Sequence, residues 1–228
     1  MKTDLHSFLE AYKGQYIEIQ KPVKLDHVGA LIAQANDTIV FDQIEGYPGF
    51  RLVDLLFSTR KAQARVLGCD PKEVVKSLAE VVRRGPKPLK EVKGGVCQER
   101  VFVGGDTDLA MLPIPRHTAL DAYPYATGFA VHRDPETGKL NQMYPRSGVL
   151  SRTEMVTSYV TPTANQILAK HRAAGTRMPQ AIVIGAHPAW ELAGCYSHPH
   201  DDWWEFELFE TISGQPGEVT RCKTIDLM

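Results

Sequence analysis

The chain has 228 residues, 43% of them apolar and 23% charged, with a formal net charge of −1. That is the composition of a soluble globular protein. A balance so near zero excludes the clustered basic face an electrostatic nucleic-acid binder needs, and no stretch approaches the ~20 apolar residues of a membrane-spanning helix.

A chain of 25.4 kDa can bury roughly 70% of its unfolded surface, so neither disulfide nor metal is needed to hold a core. Cys69, Cys97, Cys195 and Cys222 are far apart, with no Cys-x-x-Cys pair, and read as reduced thiols. The N-terminal stretch "MKTDLHSFLEAYKGQ" is charged and amphipathic and lacks the apolar centre of a signal peptide. A cytoplasmic location is therefore expected.

In chain order, "TDLHSFLEAY" reads as a helix capped by Thr3, because Leu5, Phe8 and Leu9 share a face at helical spacing. "YIEIQ" reads as a strand, and "DHVGALIAQAN" as a helix capped by Asp26. "TIVFDQI" and "FRLVDLLF" are strand-like around the turn signal "EGYPG". "STRKAQARVLG" starts with a Ser cap and ends at Gly68. "DPKEVVKSLAEVVRRG" has Asp70 as cap, Pro71 in the first position, basic residues in the last turn and Gly85 as stop. The basic run "RRGPKPLKEVK" mixes in prolines and a glutamate and reads as a solvated linker.

Residues 86–125 carry Pro86, Pro88, Pro113, Pro115 and Pro124 and read as a strand, "QERVFV", within a long connection. "YATGFAVHR", the turn "DPETGK" and "LNQMYPRSGVLS" make a hairpin, followed by the strand-like "EMVTSYV". "ANQILAKHRAAG" is expected as a helix, "PQAIVIGAH" as a buried strand, "PAWELAGCYS" and "DDWWEFELFETISG" as helices, and "EVTRCKTIDL" as a last strand. The alternation predicts an α/β (α+β) protein, with an N-terminal α/β domain over 1–110 and a second domain over 111–228.

Three groups of residues could carry chemistry. Asn141 and Arg146 are five apart, an odd spacing that points strand side chains to opposite faces unless the ladder breaks between them. Pro145 breaks ladders because it has no N–H, and a polar ligand could take the freed backbone bonds; an edge strand with water on those bonds would carry the same residues. "HPHDDWWEFE" offers His198, His200, Asp201, Asp202 and Glu205, imidazole and carboxylate groups that suit transition metals but equally a helix cap beside surface histidines. Tyr196, Trp203 and Trp204 could stack on a flat ligand or pack in a core. No Gly-rich phosphate loop or nucleophile elbow is present.

"CQERVFVGGDTDLAMLPIPRHT", "YATGFAVHRDPETGKLNQMYPR", "AAGTRMPQAIVIGAHPA" and "RCKTIDL" occur in an order that resembles the UbiD family of decarboxylases, from about residue 97 to the last residue. The region before them resembles that family's N-terminal part. The resemblance implies a split β-barrel-like flavin-binding domain and reversible decarboxylation of an aromatic or α,β-unsaturated carboxylic acid. The implied cofactors are prenylated FMN and a divalent metal, usually Mn2+, often with K+. By motif position Asn141 and Glu205 match metal ligands and Arg146 the catalytic arginine. Met143, Tyr144, Pro145 and Ser197, with Asn141, Arg146 and Glu205, fall where the family meets its cofactor.

Where the family has its metal histidine this chain has Ala164 and Asn165, while His171 and His198 lie elsewhere. The family's paired catalytic glutamates belong to a motif beyond "CKTIDL", and the sequence stops at Met228. The resemblance thus implies a shortened family member or one half of a split enzyme. Such a chain would need a separate C-terminal catalytic subunit, in a homo-oligomer or beside it. The alternatives are a non-catalytic flavin-binding accessory subunit and a simple FMN-binding split barrel of the flavin-reductase type.

Overall fold

The computed structural model describes residues 4–196 and 203–228. Helix α1 (Leu5–Ala11) is capped by Asp4, whose carboxylate accepts the Ser7 N–H at 2.7 Å. The expected cap, Thr3, lies outside the described residues. Strand β1 (Ile17–Ile19) leads through a 3-10 turn, Leu25–His27, into α2 (Val28–Ile32). Asp26 is thus inside the turn and does not cap: the chain enters α2 already coiled, and His27 at its start makes no side-chain bond to it.

Strands β2 (Ile39–Phe41) and β3 (Leu52–Asp54) complete a three-stranded sheet in the order β1-β2-β3, parallel then antiparallel. Helix α3 (Arg60–Leu67) is capped by Thr59, which accepts the Ala62 N–H at 3.0 Å, one residue after the expected serine. Ser58 instead donates to the Leu55 carbonyl. Gly68 ends α3 in the left-handed conformation, φ 62°. The Asp70 carboxylate accepts the Lys72 N–H, and a 3-10 turn, Pro71–Glu73, runs into α4 (Val74–Arg84), which stops at Gly85 as expected. Buried Arg65 ties α3 to the sheet by pairing with Asp37 and donating to the Gln15 carbonyl and, at 2.9 Å, to Thr38 Oγ1.

Strand β4 (Lys90–Glu91) pairs in parallel with the last strand, β11 (Glu218–Val219). The strand expected over "QERVFV" does not form. Val96–Gln98 is a 3-10 turn, and Val101, Phe102 and Val103 run about half exposed with no partner strand beside them. A short apolar run without a neighbouring ladder has nothing to hold it extended.

The second half is built on β5 (Tyr125–Ala126), β6 (Phe129–Arg133), β7 (Leu140–Met143), β8 (Arg146–Val149), β9 (Met155–Ser158), α5 (Pro162–Ala173), β10 (Ala181–Val183), α6 (Pro188–Gly194) and α7 (Phe209–Ser213). One antiparallel sheet has the order β10-β6-β7 and another β5-β8-β9. Both are open among the described residues. Strand β10 is half-buried rather than fully buried. The helix expected from residue 201 is a 3-10 turn, Glu205–Leu208, followed by α7, and the last strand shrinks to two residues. The architecture is the expected mixed α/β one.

The main core joins Phe8 of α1, Val66 of α3 and Val81 of α4 to Val131 of β6, Trp190 of α6 and Phe209 of α7. Trp190 and Phe209 stack with centroids 4.0 Å apart. Helix α6 lies against β7 so closely that a Cβ on Gly194 would sit 2.3 Å from Gln142 Cδ. Gln142 Nε2 donates to the Trp190 carbonyl at 2.9 Å, and the Tyr144 hydroxyl donates to the Glu191 carbonyl. Side chains of β7 and of the residue after it thereby serve carbonyls of α6. The Glu191 carboxyl is pushed up to about 7 by burial.

A Cβ at Gly128 would come within 2.2 Å of the Val183 carbonyl oxygen. Gly128→Ala is therefore expected to cost about 1–3 kcal/mol, as overpacking against backbone does, measured by urea unfolding. Because the Glu191 pKa is raised on folding, its contribution to stability is complete below about pH 4 and is lost as pH rises through about 7. That pH-dependent part, about 3 kcal/mol, should be missing from unfolding curves of Glu191→Gln between pH 4 and 8; an unchanged curve would show that this carboxyl is solvated.

Candidate active site

Buried polar side-chain atoms are nearly always hydrogen-bonded, so those without partners mark places that call for explanation. Among the described residues six such atoms occur, and five belong to a stretch of sixteen residues: His132 Nδ1, Arg133 Nε, Asn141 Nδ2, Gln142 Oε1 and Ser147 Oγ. The sixth is the Tyr16 hydroxyl. The concentration falls on β6, β7 and β8.

At this point the chain changes sheets. Strand β7 ends at Met143, Tyr144 and Pro145 belong to no ladder, and β8 begins at Arg146 in the neighbouring sheet. The ladder break expected at Pro145 is present, with the proline buried and Tyr144 39% exposed. Leu140 belongs to the main core and Gln142 reaches α6. Asn141 and Met143, by strand alternation, take the other face, where Met143 packs with Ala130 and with Ala164 of α5.

Asn141 is 7% exposed and stands opposite His132 in the β6–β7 ladder. Its side-chain Nδ2 has no hydrogen-bond partner among the described residues. Arg146 is exposed, stands opposite Ser158, and makes no hydrogen bond or ion pair among the described residues. Ser147, 1% exposed, stands opposite Thr157. Two open donors, Asn141 Nδ2 and Ser147 Oγ, and an unpaired guanidinium thus flank the break, a set that suits the oxygens of an anion.

His132 is wholly buried. Burial lowers its pKa, against an opposing hydrogen bond from Gln180, so the ring is neutral. Its Nε2 meets Gln180 Oε1 at 2.9 Å. The same oxygen accepts from the Tyr159 hydroxyl, and Gln180 Nε2 donates to Thr157 Oγ1 at 3.3 Å. An amide oxygen only accepts, so the imidazole proton is on Nε2, and the Nδ1 lone pair has no hydrogen-bond partner among the described residues.

Glu205 opens the 3-10 turn Glu205–Leu208, which packs on both α6 and β7, and is half-buried. Tyr196 and Trp203 stack with centroids 6.3 Å apart, and Trp203 covers Gly85, so this aromatic group packs within the fold. Ser197, His198, His200, Asp201 and Asp202 lie outside the described residues. Among the described residues no three His, Cys, Asp or Glu side chains gather into a metal-holding group.

Sequence reasoning thus named the two flanks of the break but passed over His132, Gln180 and Tyr159. The signal for His132 was present: in a hairpin with the turn "DPETGK", residue 132 falls opposite residue 141. Nothing local pointed to Gln180, which arrives from the segment after α5.

Comparison with known proteins identifies relatives along nearly the whole chain. Residues 90–228 match the 3-octaprenyl-4-hydroxybenzoate carboxy-lyase Rift-related domain, and residues 9–82 match the N-terminal domain of the same carboxy-lyases. The anhydromevalonate phosphate decarboxylase of Methanothermobacter thermautotrophicus is 33% identical over 226 residues, 98% of this chain and 52% of that protein. The enzyme of the same name from Methanosarcina mazei is 29% identical over 211 residues, 92% of this chain and 48% of that one. An evolved dimeric form of the UbiD-class enzyme HmfF from Pelotomaculum thermopropionicum, solved in complex with prFMN, superimposes with a TM-score of 0.88 at 27% identity. That match covers 99% of this chain and 54% of the other. The chain spans about half the length of these relatives. Carrying both domain signatures in order over most of its length, it belongs to the UbiD family.

Proposed function

We propose that this chain is the flavin-binding half of a UbiD-type decarboxylase acting on an aromatic or α,β-unsaturated carboxylic acid, with prenylated FMN and a divalent metal, Mn2+ in the first instance and K+ beside it. In this reading residues 1–110 form an N-terminal domain and 111–228 the cofactor domain, and the acid/base groups that complete turnover come from a C-terminal half. The observation that carries the reading is the set of buried polar atoms without partners among the described residues next to the sheet-to-sheet crossing, Asn141 Nδ2 on β7 and Ser147 Oγ on β8, with the exposed Arg146 between them in the chain.

The residues fit an anionic cofactor bound through a metal. The Asn141 side-chain oxygen and the Glu205 carboxylate are oxygen donors of the hard type that Mn2+ takes. When bound, the modified flavin supplies the electron sink that no side chain offers. The chain's own groups do the rest. Arg146, without a side-chain partner among the described residues, has a planar fork able to take the substrate carboxylate in two parallel hydrogen bonds. Tyr144 is held at the crossing by its bond to α6, which fixes the direction in which the backbone reaches Arg146.

The test is reconstitution: coexpression with a flavin prenyltransferase, a visible spectrum with metal analysis, and CO2 release from a panel of acids after mixing with a C-terminal half. Silence across the panel with a normally loaded chain would favour the accessory-subunit reading. In the active mixture Arg146→Ala should lower turnover by ~10²–10³-fold, the scale on which loss of a single charge-stabilising donor acts, while leaving cofactor absorbance in place; equal turnover would remove Arg146 from the substrate. Glu205→Gln should lower metal and cofactor content together, and an unchanged manganese-to-protein ratio by elemental analysis would refute its ligand role.

A further inference from the structure

The four cysteines are scattered along the sequence and all carry free thiols, but the fold brings Cys97 and Cys222 to one place. Strand β4 runs parallel to β11 with Lys90 beside Glu218 and Glu91 beside Val219, and the Val92 N–H donates to the Val219 carbonyl at 2.8 Å. After Gly94 and Gly95 the 3-10 turn Val96–Gln98 folds back onto the residues that follow β11: Gln98 Nε2 donates to the Arg221 carbonyl at 2.6 Å. A Cβ on Gly95 would lie 3.6 Å from both Cys97 Sγ and Thr220 Cγ2, so those two atoms are at most twice that distance apart. The Cys222 thiol has its pKa raised first by burial and then by Cys97, whose sulfur is within electrostatic reach.

We propose that Cys97 and Cys222 form a reversible disulfide, made by exchange with a low-molecular-weight disulfide, that locks the clasp between β4 and β11. The two thiols suit different steps. Cys97 is exposed, on a short turn whose start has no side-chain cap, so it meets the reagent and can shift to the Cα separation of about 4.4–6.8 Å that a disulfide requires. Cys222 is half-buried and held, its N–H donating at 2.7 Å to the carbonyl of Leu227, a residue of the main core. The Cys97 thiolate attacks one sulfur of the small disulfide, forming a mixed disulfide and releasing one small thiol; the Cys222 thiolate then attacks Cys97 Sγ and releases the second. Two protein thiols are oxidised, giving up two protons and two electrons, and the small disulfide is reduced to two thiols. Packing accounts for a half-buried cysteine but not for an exposed one set beside it. The clasp otherwise rests on a two-residue ladder and on the exposed ion pairs Lys90–Glu218 and Glu91–Arg221, which contribute little. A covalent bond there therefore governs how often the clasp opens.

The experiment uses the full chain with Cys69→Ser and Cys195→Ser, so that only the two thiols in question remain, equilibrated without oxygen against reduced and oxidised glutathione at set ratios. As the ratio turns oxidising, both thiols should be lost together to alkylation and the intact monomer should lose the mass of two hydrogens. A tryptic digest should then hold Cys97 and Cys222 in one linked pair of peptides, and dithiothreitol should reverse all of this. Cleavage of the native chain by trypsin after Lys93 and Arg100 should slow by ~10-fold or more on oxidation, since a disulfide that closes so long a loop suppresses opening. In Cys97→Ser and in Cys222→Ser the cleavage rate should not respond to the ratio. The equilibrium constant against glutathione should be ~10-fold or more larger in the native chain than in urea, which separates proximity in the fold from chance pairing. Mixed disulfides with glutathione alone, disulfide-linked dimers alone, or equal constants in the native and unfolded chain would overturn the proposal. An unchanged cleavage rate in the oxidised monomer would overturn the lock.

Discussion

The crossing at Tyr144 and Pro145 is the constraint on which the rest of the site depends. Proline has no N–H to offer a ladder and disfavours the helical region for the residue before it. The strand must therefore end at Met143, and the chain restarts in a different sheet at Arg146. Had the strand run on, residues 141 and 146 would have opposed faces by simple alternation. The break removes that rule, and with it a line of backbone partners for the side chains on either side.

The two faces of β7 then take separate duties. Gln142 and Tyr144 bind carbonyls of α6, and Gly194 makes room for that contact. This side is a bolt: it fixes where the crossing sits relative to the main core through Trp190 and Phe209. The opposite face is left with Asn141, its partner His132, and a polar network leading to Gln180, in a neighbourhood otherwise lined by small or apolar groups. Holding unpartnered polar atoms in such a place costs stability. A fold retains that cost where a bound group recovers it.

Several basic groups of this chain are paired, and Arg146 is among those that are not. Arg65, Arg83, Arg152 and Lys170 all sit on carboxylates, whereas Arg146 sits on none among the described residues. Most of the exposed pairs contribute little to stability. Arg146 stands out by its place beside the crossing, next to the buried polar atoms of β7 and β8.

Local chemistry made much of this legible in advance. Helix α4 with its Asp-Pro start and Gly stop, the hairpin around "DPETGK", and the break at Pro145 follow from capping, turn preference and a missing donor, which act within a few residues. The same local rules put the caps of α1 and α3 one residue early and set Asp26 at the head of a helix that is entered through a 3-10 turn, since neighbouring polar residues compete for one N–H. They also promised a strand over residues 98–103, which fails because a strand needs a neighbour that no local pattern supplies. The split of one apparent strand between two sheets, the pairing of β4 with β11, and the arrival of Gln180 beside His132 belong to tertiary structure alone. Each joins residues tens of positions apart, and only the packed chain decides which backbone edges and which lone pairs meet.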